Sequence, residues 1–133
     1  MTTEQLTTEL SGGYATCELI TNYAEGDVHA LLEYQTVLMG LLPRSAMMFA
    51  SAELLLNKRK GDIAELVGDF ANFVELSPTK MKFLLEGKAA TEISLFRQAE
   101  RLNRTVTHLL DALNVKIPNE HKLFPQQSFQ RKN

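Results

Sequence analysis

Residues 95–113 read LFRQAERLNRTVTHLLDAL. Leu95, Ala99, Leu102, Val106, Leu109 and Leu113 follow one another at alternating steps of four and three. An α-helix turns once in about 3.6 residues, so these six side chains form one stripe, the pattern of a coiled-coil or bundle seam. Arg97, Arg101, Arg104 and His108 step by four, three and four around the roughly opposite face. Glu100 and Asp111 stand at pairing distance among them, as on a solvated, salt-bridged surface. This segment predicts a helix that buries one stripe and wets the other.

The flanking sequence is helical in its punctuation too. Ser77-Pro78 places a capping hydroxyl before a proline suited to a first helical turn. Asp27 is positioned to cap a helix from Val28. Alternating β-branched runs and Asn-Gly or Asp-Gly hairpin pairs do not occur. Gly12-Gly13, Gly61 and Ile117-Pro118 are read as breaks, and Pro43 either kinks one long helix or opens a new one at 43. The resulting helices span about 3–11, 14–25, 28–42, 43–60, 63–76 and 78–114, the last with a weak point at Gly87. The expectation is an all-α, single-domain helical bundle of five to six helices over residues 1–118, with room for a long C-terminal helix. Residues 119–133 are expected to form a flexible tail.

Charge is distributed unevenly. Residues 1–43 carry Glu4, Glu9, Glu18, Glu25, Asp27 and Glu33 and no Lys or Arg, a formal −6. The rest of the 133-residue chain is +4, giving −2 overall. Complementary parts of this kind can dock on each other, within one chain or between copies. The apolar run Val37–Leu56 contains Arg44 and Glu53 as well as small residues such as Ala46, Ala50 and Ala52. It reads as buried core or an oligomer interface rather than a membrane span.

Residues 70–88 read FANFVELSPTKMKFLLEGK. In Ala71, Leu76, Ser77, Met81, Leu84, Gly87 and Lys88 this resembles the repressor-type helix-turn-helix. The resemblance implies that Thr79, Lys80 and Lys82 face a groove and its phosphates. Glu75 stands where the turn glycine is usual, and Phe83 and Leu85 put bulk where a recognition helix is polar.

Catalytic and metal-binding patterns are missing. His29, His108 and His121 have Gly26, Thr105 and Pro118 three residues before them, so no Glu-x-x-His pair occurs. No zinc, phosphate-loop or nucleophile-elbow motif is found. Cys17 is the single cysteine, which excludes an internal disulfide and suggests a reducing, cytoplasmic setting.

The sequence reading is therefore a non-enzymatic helical interaction protein without cofactor or metal, cytoplasmic, that forms a homo-oligomer and binds a macromolecular partner. Its expected interface is the seam Leu95, Ala99, Leu102, Val106, Leu109 and Leu113. By analogy of size and fold, such chains serve phages or mobile elements as accessory or inhibitory proteins. One alternative is a DNA-binding regulator using residues 70–88. A second is an oligomer that holds a small anion or nucleotide. Lys80, Lys82, Lys88, Arg97, Arg101 and Arg104 are the candidate anion or nucleic-acid ligands.

Overall fold

The computed structural model describes residues 1–21, 27–71 and 77–123, with side chains as far as 68 in the second segment and 119 in the third. Four helices account for nearly all of them: α1 Thr3–Thr21, α2 Val28–Ala71, α3 Pro78–Lys88 and α4 Ala90–Leu123. No strand occurs among the described residues.

The caps expected at Asp27 and Ser77 are present. Asp27 Oδ1 accepts from the amides of His29 and Ala30 at 3.0 and 3.4 Å. Ser77 Oγ accepts from the Lys80 amide at 3.3 Å, with Pro78 in the first turn. Thr2 and Gln5 form a reciprocal capping box at the start of α1, at 2.9 and 3.1 Å.

The predicted breaks do not hold, and among the described residues four helices replace five to six. At 44 residues, α2 runs through Pro43 and Gly61. An interior proline removes one helical hydrogen bond and costs about 3 kcal/mol in isolation. Pro43 is exposed, so water can satisfy the carbonyl it frees, while Leu38, Leu41, Ser45 and Met48 stay buried on the other face. Continuous packing on one side outweighs the local loss. Pro118 is likewise exposed, one residue after buried Ile117, so water can reach the carbonyl it frees. There α4 continues past the expected boundary at 118, and the tail expected from 119 begins as helix; residues 124–133 lie outside the described segments.

Gly13 is retained inside α1 by a contact. A Cβ on it would lie 2.7 Å from Leu102 Cδ2, so the missing side chain lets α1 approach α4 closely. The break between α3 and α4 falls at Ala89, not Gly87. Ala89 has φ −103° and ψ 18°, its amide donates to the Leu85 carbonyl, and it is fully buried.

α2 and α4 form the antiparallel backbone of the fold. Gln35 bonds Asn114, Ser45 bonds Asn103, and the Phe49 and Phe96 rings lie 5.1 Å apart. Position numbers rise along one helix as they fall along the other. α1 packs beside this pair, and its Leu6, Leu10, Cys17 and Ile20 enter one core with α2 and α4. A smaller cluster of Leu56, Ile63, Val67 and Ala89, flanked by Leu84, Leu85, Ile93 and Phe96, seats α3 on the far end of α2.

Candidate functional site: the outer face of α2

The α4 seam lies inside the chain. Leu95, Ala99, Leu102, Val106 and Leu113 are buried in the core formed with α1 and α2, and Leu109 is half-buried against it. The folded monomer therefore does not offer this seam to a second copy. The stripe also departs from a strict heptad. Beyond Val106 the buried positions are Leu110, Leu113 and Ile117, so Leu110 takes the place expected for Leu109. A straight helix drifts about 20° per heptad against a 3.5-residue repeat, and a step of four corrects it.

The basic stripe faces water. Arg97, Arg101, Arg104 and His108 are all exposed. Arg104 pairs with Glu100 at 3.0 Å, both largely solvated, an interaction of about 0.3–0.5 kcal/mol at this helical spacing. Arg97 and Arg101 are brought together differently. With Glu86, Ser94 and Gln98 they line an open cavity of about 500 Å³ where the end of α3 meets the start of α4. The Tyr14 hydroxyl donates to the Gln98 carbonyl at 2.7 Å nearby. Burial pushes that hydroxyl above its ordinary 10.0, against an opposing pull from Arg101.

Lys80, Lys82 and Lys88 are exposed on α3, and Phe83 is exposed rather than packed. The Lys88 carbonyl accepts from Arg59 Nε of α2 at 3.3 Å, a cation at a helix C-terminus. Residues 72–76, which would form the turn of the helix-turn-helix, lie outside the described residues. Among the described residues no group of three or more His, Cys, Asp or Glu is placed to hold a metal ion. Cys17 is buried, and burial raises its thiol above the ordinary 9.0, the opposite of an activated nucleophile.

The surface that sequence reasoning did not resolve is on α2. Leu31, Leu38, Leu41, Ser45, Met48 and Ala52 point inward. Leu32, Met39, Met47 and Leu54 lie on the opposite side at 38%, 62%, 66% and 71% exposure. Thr36, Gly40, Pro43 and Ala50 fill the positions between them, all exposed. From Leu32 to Leu54 the centre of this outer strip holds no charged side chain; Glu33, Arg44 and Glu53 sit at its edges. It is about 33 Å long at 1.5 Å per residue. The available signal was that α2 is apolar on two opposite faces, one more than a bundle core requires. By length and composition, the stretch Val28–Gly68 is also apolar enough to cross a membrane, a test that core helices of soluble proteins pass as well.

No family model matches the chain, and neither a curated protein nor a solved structure is significantly similar to it.

Proposed function

We propose that this chain is a non-enzymatic, cytoplasmic helical interaction protein that self-associates and, as an oligomer, engages a macromolecular partner. The observation that carries the reading is the uncharged strip Leu32–Leu54 on the solvent side of α2. Contiguous apolar patches on an otherwise polar surface mark association sites, because covering them releases ordered water. Four large apolar side chains on one helix form such a patch, whereas the seam first expected to associate is already covered.

Native mass by light scattering across a concentration series tests this. A defined oligomer is expected, with Met47→Asp and Leu54→Asp returning monomers of unchanged helicity. Both positions are exposed, so the fold should survive the charge. A wild-type chain that stays monomeric at every concentration overturns the reading.

One observation supports a second reading. Arg97 and Arg101 share an open cavity with Ser94 and Gln98, a donor set suited to a phosphate-like anion, with Glu86 as an opposing charge. If this is the working site, inorganic phosphate should raise the melting temperature, and Arg97→Ala with Arg101→Ala should abolish the shift.

A further inference from the structure

We infer that the cavity between the end of α3 and the start of α4 takes a phosphate monoester whose body carries hydrogen-bond donors, with the phosphate on Arg97 and Arg101 and the donors on Glu86. The inference rests on the anion reading of this cavity given above and names the class of ligand.

The cationic end is defined by what the two arginines lack. Arg97 and Arg101 stand one turn apart on α4, and among the described residues neither makes an ion pair. Arg101 has no acidic neighbour three or four residues away. Arg97 has only Glu100, whose Oε1 already accepts from Arg104 at 3.0 Å. Like charges at this helical spacing repel each other, and an anion between them replaces the repulsion with two attractions. Each guanidinium presents paired N–H donors in one plane, a match for the oxygens of a phosphate. Ser94 adds a donor. Its Oγ accepts from Gln98 Nε2 at 3.0 Å, which leaves the hydroxyl hydrogen for a ligand. Gln98 is held in turn by the Tyr14 hydroxyl, which donates to its carbonyl at 2.7 Å and ties this turn of α4 to α1.

The rest of the lining calls for more than a bare anion. Ala90, Ser94, Arg97 and Arg101 form one stripe of α4, about 16 Å long at 1.5 Å per residue. The arginines occupy one end of it. Glu86, four residues before Ala90 in the chain, belongs to the other, and Ala90 and Ile93 supply an apolar wall. Among the described residues Glu86 makes neither an ion pair nor a hydrogen bond. An ionised carboxylate accepts hydrogen bonds and donates none. It therefore repels inorganic phosphate but rewards a ligand that brings a hydroxyl or ammonium group along with its phosphate. The cavity, about 500 Å³, is of a size that small-molecule clefts have.

Calorimetric titration of the full chain tests this with inorganic phosphate, phenyl phosphate, ribose 5-phosphate and phosphoethanolamine. Ribose 5-phosphate or phosphoethanolamine is expected to bind about tenfold tighter than both inorganic phosphate and phenyl phosphate, the gain typical of hydrogen bonds to a charged group. The tighter of the two identifies the donor as hydroxyl or ammonium. Glu86→Gln keeps the size of the side chain and removes its charge. It should tighten inorganic phosphate and weaken the preferred ester, whereas a residue that only held α3 in place would move both in the same direction. Arg97→Ala with Arg101→Ala should abolish binding of every probe at unchanged helicity, since both side chains are exposed. Phosphate binding without preference for the donor-bearing esters would overturn the inference and leave the anion reading standing. A preference that survives Glu86→Gln would overturn it as well. Binding of none of the probes would overturn both the inference and the anion reading.

Discussion

Asn103 of α4 donates from Nδ2 to the Oγ of Ser45 on α2 at 3.0 Å, and Ser45 donates in turn to the Leu42 carbonyl at 2.8 Å. Ser45 is fully buried in the middle of the contact between the two longest helices, among apolar side chains such as Leu41, Met48 and Leu102. This short relay satisfies the hydroxyl and connects α4 to the turn that contains Pro43. A polar pair of this kind can fix helix register, since sliding α4 by one turn would separate the partners.

Breaking one side of the relay should be measurable. Asn103→Ala is expected to destabilise the chain by about 1 kcal/mol, because Ser45 keeps only its intrahelical partner. Combining it with Ser45→Ala should cost less than the two single changes together. Urea unfolding of the four proteins of this cycle gives the coupling, expected at about 0.5–1.5 kcal/mol. A coupling of zero would assign the register to apolar packing alone.

Adjacent glycines should respond in opposite directions. A Cβ added at Gly12 would meet only open space, so Gly12→Ala should stabilise α1 by up to about 1 kcal/mol through helix propensity. Gly13→Ala gains the same propensity but drives a methyl into Leu102, which is fully buried and has little room to move. Overpacking of this kind costs about 1–3 kcal/mol, so the net change should be destabilising. Thermal melts of the two variants, taken side by side, decide it.

Truncations along α4 should follow the observed stripe rather than the strict heptad. Leu102→Ala, in the centre of the core, is expected to cost about 3–5 kcal/mol. Leu110→Ala should cost more than Leu109→Ala, because Leu110 is the buried member of the pair. Chemical denaturation that ranks them the other way would return the seam to its heptad register.

Alkaline pH should weaken the fold through two groups. Burial raises Tyr14 above 10.0 and Cys17 above 9.0, so the folded chain holds both protons more tightly than the unfolded chain does. Their contribution is complete well below pH 9, where both groups are protonated in either state, and is lost as pH rises from there through the folded values. Stability followed from pH 7 to 11 should fall less steeply in Cys17→Ala and in Tyr14→Phe than in the parent. Tyr14→Phe should also be less stable at neutral pH, having lost its bond to Gln98.

The helical class, the caps at Asp27 and Ser77, and the apolar stripe from Leu95 were legible in the sequence because each depends on neighbours within one or two turns. Periodicity and capping are local, and the chain carries them wherever it folds. What happens at Gly12, Pro43, Gly61 and Pro118 was not legible in the same way. Each is a local breaker that lies in a continuous helix, and at Gly12, Pro43 and Gly61 side chains distant in sequence pack on both sides of it. Gly13 can be understood only beside Leu102, and Ala89 only beneath the cluster of Leu56, Ile63 and Val67. The candidate site shows the same division. Leu95–Leu113 and Leu32–Leu54 look equally fit for association as linear patterns. Only the tertiary structure decides that α1 and α2 cover the first while nothing among the described residues covers the second, since burial is a property of the whole packing and not of one helix.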